Sequence, residues 1–347
     1  MKKMSSFTDI GQFRNVIKGI IARASYAGQD ENGDAIYNHL ADKPKVTFSG
    51  TVKLHGSNLG VAFNEVDGFW VQSRSNIITP EKDNAGSAFD VMGKEKIWTD
   101  MIKEVAKREN VDLTQNTVLL FAEWAGGNIQ KGVAISGLDK MAVIFDAKVT
   151  PFDLGKDSFY VSSSGLMDNE NKIYNVEQFG KYELEIDFAR PDIAQNEMVK
   201  LVEAVEAECP AGKFFGNSGI GEGIVWKADF KGSRFIFKTK GTKHSSSRVK
   251  TVAEVDVAKL DSIFEFVEYA VTENRLNQGI EQVFTSNSIE LDIKKTGDFL
   301  RWIVGDIMKE ESDVLRENGL EPKEVNKYIS ENARKWFMNR INIGVGL

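Results

Sequence analysis

One lysine stands where covalent chemistry could start. Lys53 opens the run Lys53-Leu54-His55-Gly56-Ser57-Asn58. A lysine attacks phosphorus only as the neutral amine, so such a site needs neighbouring groups that disfavour the protonated form. The glycine three residues later would let the backbone approach a phosphate closely. Taken alone, K-x-x-G is more typical of a surface lysine before a hairpin turn.

Further polar and aromatic residues follow Lys53 at intervals. They are Arg74 in Ser73-Arg74-Ser75, Glu123 in Phe121-Ala122-Glu123-Trp124, Phe145-Asp146 after an apolar run, Glu222 in Glu222-Gly223-Ile224-Val225-Trp226-Lys227, and Lys238 and Lys240 in Phe237-Lys238-Thr239-Lys240. Each also has a structural interpretation. Glu222 could cap or form a salt bridge, Phe145 could be a core residue, and the lysine pair could lie on a solvated edge strand. Their joint occurrence in this order favours a nucleotide site.

The lysine pair has a geometry suited to phosphates. Lys238 and Lys240 alternate in sequence, and alternate residues of a strand point to the same face. Both cations could therefore reach one triphosphate. Their positive charge would also disfavour the protonated form of Lys53 if the three side chains lie close together.

The ordered series resembles the nucleotidyltransferase motifs of the covalent ligase and capping-enzyme superfamily. Within it, K-x-H-G-x-N resembles most closely the RNA ligase 2 type, which includes phage and RNA-editing ligases. The resemblance spans residues 45–250. It implies an ATP-dependent RNA ligase that joins a 3′-hydroxyl and a 5′-phosphate through a lysyl-AMP and an adenylated RNA. ATP and Mg²⁺, with Mn²⁺ as an alternative ion, are the implied cofactors.

The resemblance implies a role for each residue that would meet the nucleotide. Lys53 would take the AMP, Glu123 would bind the ribose hydroxyls, and Phe145 would stack on adenine. Arg74 would contact the nucleotide sugar or the RNA end. Glu222 would act near the sugar and is the expected metal ligand.

The remaining implied roles concern the phosphates. Lys238 and Lys240 would hold them and neutralise charge that develops in the transition state. His55 and Asn58 would lie beside the phosphates and act in later steps, and Leu54 would complete the nucleotide-binding set. The expected catalytic residues are Lys53, His55, Glu222, Lys238 and Lys240.

The composition argues against several other classes of protein. The chain has 347 residues, of which 41% are hydrophobic, enough for a large and a small core. With Cys209 as the only cysteine, and with His39, His55 and His244 far apart in sequence, the chain favours neither an internal disulfide nor a zinc site. No apolar run has the length of a membrane span or of a secretory signal. We expect a monomer in the cytoplasm, and the resemblance also admits a phage-encoded protein in the host cytoplasm.

A local basic segment is the expected RNA contact. The formal net charge of -7 gives no global attraction for nucleic acid, but Lys231 to Lys250 holds seven Lys or Arg residues and no acid. The alternative interpretation of this segment is an exposed basic loop with no role in binding. Further contacts are expected from cations of the tail, namely Arg301, Lys309, Lys335 and Arg340. The implied partner is an RNA end, in a nicked duplex or a broken structured RNA.

The elements that would position these residues predict an α+β fold. Alternating residues predict strands that end at Lys53 and that cover Leu59 to Phe63, Phe69 to Ser73, Thr117 to Trp124, Met141 to Val149, Gly223 to Asp229 and Phe235 to Lys240. Helical spacing covers Phe13 to Ala24, Lys94 to Arg108, Gln195 to Cys209, Ser262 to Thr272, Gly297 to Leu320 and Pro322 to Ile343. The predicted architecture is a nucleotidyltransferase domain of antiparallel sheets with flanking helices over residues 1–250, followed by a small all-helical domain over 251–347.

Two alternatives share the lysine motif or the fold. A DNA ligase or an mRNA-capping guanylyltransferase usually carries a β-rich OB domain after the last motif, whereas this tail has helical spacing. A non-catalytic RNA-end-binding protein of the same fold would bind RNA without forming an adenylate. The motif series is intact here, which argues against the second alternative.

Overall fold

The computed structural model describes residues 2–38, 40–83, 85–127, 129–241, 255–287 and 289–344, with side chains described to residue 341. The chain divides into two compact units. Within the described residues the first covers 2–16, 47–186 and 197–241, and the second covers 17–46, 187–196 and 255–344. The predicted domain boundary at residue 250 falls outside the described residues and stays a prediction.

Strands form the sheets of the first unit and a small hairpin of the second. They are β1 (Tyr26–Gln29), β2 (Ala35–Tyr37), β3 (Lys45–Lys53), β4 (Ser57–Asn64), β5 (Gly68–Gln72), β6 (Ile77–Ile78), β7 (Asn116–Ala125), β8 (Met141–Pro151), β9 (Phe159–Val161), β10 (Ile173–Asn175), β11 (Lys181–Asp187), β12 (Gly223–Phe230) and β13 (Ser233–Lys240). β1 and β2 form a separate hairpin that belongs to the second unit. The predicted strands are all present.

Helices flank the sheets and build most of the second unit. They are α1 (Phe13–Ser25), α2 (Ser87–Gly93), α3 (Glu95–Arg108), α4 (Ala194–Ala207), α5 (Pro210–Phe214), α6 (Val257–Ala270), α7 (Glu273–Val283), α8 (Thr296–Glu310), α9 (Ser312–Glu317) and α10 (Pro322–Gly344). No helix in the described part of the chain is both long and apolar enough to traverse a bilayer.

Two larger sheets organise the first unit. One runs in the order β10-β8-β7-β4-β5-β6, with β9 also paired to β8, and the other in the order β11-β3-β12-β13. The β4–β7, β7–β8, β3–β12 and β12–β13 pairs are antiparallel, and the short β10 pairs with β8 in parallel. The predicted α+β class with antiparallel sheets and a helical C-terminal part is therefore confirmed.

A hydrophobic core forms on one face of the larger sheet. Trp98, Ile102 and Val105 of α3 are buried there with Leu120 of β7 and Ile144 of β8. The spacing of three and four between the α3 residues puts them on one face of the helix, which is why this segment packs as an amphipathic helix. The sheet is thereby anchored on the face opposite to the predicted nucleotide residues.

The helices of the second unit enclose a core of their own. Phe299 and Ile303 of α8 pack with Ile329 and Phe337 of α10, and all four side chains are fully buried. The segment predicted to be helical from Gly297 to Leu320 contains two helices, α8 and α9, because the backbone leaves helical geometry at Glu311. Apolar spacing continues across the break, so periodicity gave no sign of it.

Candidate active site

Strand register brings the first and last motifs together. Lys53, the last residue of β3, pairs with Gly223 of β12, which on its other side pairs with Lys240 of β13. Glu222 directly precedes β12. Gly223 has φ +148°, and a Cβ there would lie 2.0 Å from the carbonyl oxygen of Thr239. Two lysines therefore flank a position where only glycine fits.

Glu222 bridges those two lysines. Its Oε2 lies 2.7 Å from Lys53 Nζ and its Oε1 lies 2.5 Å from Lys240 Nζ, while its side chain is 3% exposed. Burial opposes ionisation of this carboxyl, but Lys53 and then Lys240 hold the pKa of Glu222 below its ordinary value. His55 Nδ1 lies 3.4 Å from Glu222 Oε2. The predicted catalytic residues Lys53, His55, Glu222 and Lys240 thus form one cluster.

Lys238 completes the positive side of the cluster. Partial burial, followed by the charges of Lys240 and Lys53, lowers the pKa of the Lys238 amine. Within the part of the chain that the structure describes, Lys238 makes no ion pair. The Lys238 ammonium is therefore available to bind an anionic ligand.

Glu123 lies on the adjoining sheet, opposite Asn58 of β4. Its Oε1 accepts a hydrogen bond of 2.8 Å from the backbone N–H of Gly56. A Cβ on Gly56 would lie 2.4 Å from the carbonyl oxygen of Trp124, so the glycine allows the loop to approach β7. Burial, helped by the charge of Glu222, raises the pKa of Glu123 to about 7 against the opposing effects of Lys53 and Gly56. The carboxyl can thus change its charge near neutral pH.

Phe145 is positioned by an irregularity in β8. Phe121 pairs with Asp146 and Ala122 with Ile144, so Phe145 is the extra residue of a β-bulge. A bulge re-aims the side chains of its strand. Ile144 stays in the main core, whereas the Phe145 ring packs on the other face, 6.4 Å from the Phe121 ring and nearly parallel to it.

A pocket connects Phe145 with the lysine cluster. Its lining includes Lys53 and Glu123 together with Phe145, and apolar side chains form most of the rest: Phe7, Ile10, Val52, Leu54, Val143, Val176 and Val225. Leu54, a predicted nucleotide contact, is buried in this wall. An apolar pocket with a few polar groups is typical of a small-molecule site.

A buried ion network supports the bulge and was not predicted. Asp146 accepts from Lys227 Nζ at 2.8 Å and from an Arg234 nitrogen at 2.9 Å. Lys227 Nζ also donates to the Phe145 carbonyl oxygen at 2.6 Å. Burial lowers the pKa of Lys227 although Asp146 opposes the change. Lys227 closes the E-G-I-V-W-K run, and that position was the only available sequence signal.

Arg74 is not part of the ion cluster. Its guanidinium lies 2.7 Å from Asp9 in an exposed ion pair. Its charge still reaches Lys238, where it contributes to lowering the pKa of that amine. Arg74 is therefore an exposed residue whose charge reaches Lys238.

The expected RNA contacts are only partly described. In the basic segment, Arg234 and Lys240 pair with buried carboxylates rather than facing solvent. Residues 242–250 of that segment, like His39 and His244, lie outside the described residues. In the tail, Arg301 and Lys309 each form an exposed ion pair with a neighbouring acid.

The carboxylates suit a metal that shares its coordination with a ligand. Among the described residues, no group of three or more His, Cys, Asp or Glu side chains is placed to hold an ion. Glu222 and Glu123 are the acids that adjoin Lys53. Mg²⁺ is commonly bound by one or two carboxylates plus substrate phosphates and water, so Glu222 fits this type of site.

Comparison with known proteins gives one family. A family model described as RNA ligase matches residues 46–240, which is more than half of the chain. No curated protein matches the chain. The match includes the strands that carry Lys53, Glu123, Phe145 and the lysine pair.

Solved structures that match this chain include several from Naegleria gruberi. They include an RNA ligase mutant with AMP and Mn (16% identity, TM-score 0.42, 71% of this chain and 59% of that chain), the RNA ligase with PPi (16%, 0.39, 70% and 59%) and a mutant with ATP and Mn (17%, 0.39, 70% and 57%). The chain thus spans less than two thirds of the length of these solved ligases.

Proposed function

Since the chain belongs to the RNA ligase family, we propose that it is an ATP-dependent RNA ligase that joins a 3′-hydroxyl to a 5′-phosphate through a lysyl-AMP on Lys53. The observation that carries the proposal is the bridge that Glu222 makes between Lys53 and Lys240, with Lys53 also lining one pocket together with Phe145. A nucleophilic amine, a carboxylate and paired cations beside an aromatic slot are what adenylate transfer needs.

The first step forms the covalent adenylate. The neutral Lys53 amine attacks the α-phosphorus of ATP, the N–P bond forms, and the bond to the β-phosphate breaks to release pyrophosphate. Lys53 Nζ lies 2.7 Å from Glu222. That ion pair must separate before the attack, and the proton of the ammonium must leave.

The nucleotide is held by groups along the pocket. We assign adenine to the Phe145 ring, and the ribose hydroxyls to Glu123, whose carboxyl lies beside the Gly56 loop. Lys238 and Lys240 would bind the phosphates and stabilise negative charge in each transition state. Glu222 would hold Mg²⁺ or Mn²⁺, which supplies further positive charge at the phosphates when bound.

The second and third steps use the same cations. An oxygen of the RNA 5′-phosphate attacks the adenylate phosphorus, the P–N bond breaks, and Lys53 regains a proton. The RNA 3′-hydroxyl then attacks the 5′-phosphorus and AMP leaves. We assign His55 and Asn58 to these steps and Arg74 to the sugar or the RNA end, since Arg74 is exposed and its charge reaches Lys238.

We extend the proposal to the whole chain. The adenylyltransferase domain covers residues 1–250 and the helical domain covers 251–347. The substrate is a nicked duplex or a broken structured RNA, joined by a monomer in the cytoplasm. Sealing of nicked duplexes with RNA or with DNA on the 3′-hydroxyl side tests the substrate: equal sealing of both would contradict a preference for RNA ends.

Labelled ATP tests the adenylate. After incubation with Mg²⁺ and ATP labelled at the α-phosphate, the wild-type protein should carry label that survives denaturation. Lys53→Ala should carry none, and Lys45→Ala should be labelled like the wild type because Lys45 lies on the same strand but is exposed. An unlabelled wild-type protein would refute the proposal, and labelling from GTP in place of ATP would indicate a capping enzyme.

Pre-adenylated RNA separates chemistry from folding. Lys53→Ala should still seal an RNA whose 5′-phosphate already carries AMP, because the nucleophile acts only in the first two steps. Loss of this reaction together with the label would indicate that Lys53 is needed for the fold instead.

A further inference from the structure

The N-terminal segment before α1 crosses the first unit and contributes to the pocket. Phe7 and Ile10 both line the pocket that holds Lys53, Glu123 and Phe145. Neither residue belongs to a strand or helix. The segment is therefore a wall of the proposed nucleotide site that sequence periodicity does not detect.

Hydrogen bonds fix this segment to the larger sheet. The backbone N–H of Ser5 donates to the side-chain oxygen of Gln72 at 3.3 Å, and the Gln72 amide donates back to the Ser5 carbonyl at 2.7 Å. The backbone N–H of Thr8 donates to the Tyr160 hydroxyl at 3.0 Å. These contacts lie on both sides of Phe7 and hold its backbone in place.

A second anchor ties the segment to the smaller sheet. The backbone N–H of Gly11 donates to the Ile236 carbonyl oxygen of β13 at 3.1 Å. A Cβ at Gly11 would lie 3.3 Å from that oxygen, so the close approach favours glycine. Residues 5–11 therefore run from one sheet to the other as a strap across the pocket.

The Phe7 ring packs against three other aromatic rings. Its centroid lies 5.2 Å from the Phe145 centroid at an interplanar angle of 89°, and 5.0 Å from the Phe121 centroid at 69°. It also lies 5.7 Å from the Tyr160 ring at 79°. Edge-to-face pairs are a favoured aromatic geometry and restrict the rotation of both rings.

The neighbouring rings restrict the orientation of the Phe145 ring. One neighbour, Phe121, lies nearly parallel to the Phe145 ring, whereas the Phe7 ring is perpendicular to it. Phe145 has no paired residue on β7, so neighbouring rings, together with the Lys227 ammonium 5.6 Å from its ring centroid, contribute to the orientation of the ring. Phe7 is placed to do so.

We propose that Phe7 is a positioning residue for the purine base: it closes the base end of the pocket and holds Phe145 at the angle needed for stacking. The proposal rests on the proposed function in assigning the base to Phe145. It predicts that Phe7 affects the binding of the base and leaves the binding of the phosphates unchanged.

Equilibrium binding tests this without requiring the reaction. The ligand is α,β-methylene-ATP, whose α–β bridge prevents AMP transfer, and inorganic tripolyphosphate serves as the ligand without a base. Phe7→Ala should weaken binding of the ATP analogue about tenfold and change tripolyphosphate binding less than twofold. Phe7→Leu, which keeps apolar bulk but lacks the aromatic ring, should give a smaller loss.

Phe13→Ala is the matched control. Phe13 is also a partly buried phenylalanine near the N-terminus, but it packs 5.1 Å from the Phe237 ring. It should leave the affinity for the ATP analogue unchanged. Thermal unfolding of all three variants reports any general loosening.

Three outcomes would overturn the proposal. They are an unchanged affinity of Phe7→Ala for the analogue, an equal loss for tripolyphosphate, and an equal loss in Phe13→Ala. A wild-type protein that binds the analogue in a Phe7-dependent manner but forms no adenylate would instead refute the ligase reaction and leave the role of Phe7 standing.

Discussion

At the scale of single residues, Glu222 controls the charge balance of the site. Both of its carboxylate oxygens are occupied, one by Lys53 and one by Lys240. ATP would bring phosphates that compete for the same cations, and a metal would compete for the carboxylate. In the proposed reaction, nucleotide binding would thus exchange one set of ion pairs for another, which would keep Lys53 in place before ATP arrives and free it afterwards.

Removing the Glu222 charge should destabilise the nucleotide-free protein. Glu222→Gln leaves two mostly buried cations without their anion, so we expect the free energy of unfolding to fall by roughly 3 kcal/mol in urea titrations. Adding Lys240→Met should recover part of the loss. The control is Asp90→Asn, because Asp90 pairs with Lys94 at 2.7 Å in a more exposed setting and should cost less than about 1 kcal/mol. Equal losses in the two variants would contradict this prediction.

Glu123 should give stability an unusual dependence on pH. Because folding raises the pKa of Glu123 from 4.5 to about 7, the folded state holds a proton that the unfolded state has lost between these values. The contribution of this group to the free energy of unfolding therefore decreases as pH rises from about 4.5 to about 7. Glu123→Gln removes it. Urea titrations of the nucleotide-free proteins should show the difference between wild type and variant changing across this interval, and parallel curves would contradict the assignment.

At the scale of elements, the turn from Glu222 into β12 depends on one glycine. Gly223→Ala would combine a disfavoured φ with a contact to Thr239, and should separate β12 from β13 and abolish adenylate formation. Gly68, the first residue of β5, also has a positive φ of +74°, but a Cβ there would have no atom within 4 Å. Gly68→Ala should cost only about 1 to 2 kcal/mol and retain adenylation. Labelling with ATP and urea unfolding compare the two, and a silent Gly223→Ala would contradict the prediction.

Strand bulges limited what the sequence could predict about the site. The core-facing residues of β8 are Ala142 and Ile144, then Ala147 and Val149. The alternation shifts by one residue at Phe145, and a pattern of strict period two does not locate such a shift. The position of Phe145 in the pocket was therefore predicted from the family resemblance, whereas its physical cause emerged only from the pairing of β7 with β8.

The spacing of apolar residues along the sequence predicted some of the other elements and missed others. β3 alternates clearly between exposed and buried residues, and its end at Lys53 was predicted from the sequence. α7 was not predicted, since only Leu276 and Gly279 are buried in a largely polar helix. Phe7 was missed because it lies in a segment without periodicity. Its role depends on contacts with distant rings, which no local pattern encodes.

At the scale of the whole molecule, the distribution of charge determines how RNA could be attracted. The formal net charge is -7, and the described cations of the basic segment include Arg234 and Lys240, whose charges are neutralised by Asp146 and Glu222. Long-range attraction must then come from cations without buried partners. Lys238 is one, and Lys243, Arg248 and Lys250 are the candidates outside the described residues.

The salt dependence of RNA binding tests whether the cations without buried partners contact the RNA phosphates. Binding of a nicked RNA duplex should weaken steeply as the salt concentration rises. Replacing Lys243, Arg248 and Lys250 by Gln should make the slope of log affinity against log salt concentration shallower by about 2 to 3. Each phosphate contact contributes about 0.9 to that slope. The matched control replaces the exposed lysines of α3, Lys96, Lys103 and Lys107, by Gln. Both triple variants change the net charge equally, so a general electrostatic effect would alter the two slopes alike. A larger change in the first variant would indicate direct phosphate contacts, whereas equal slopes would remove the basic segment from the RNA site.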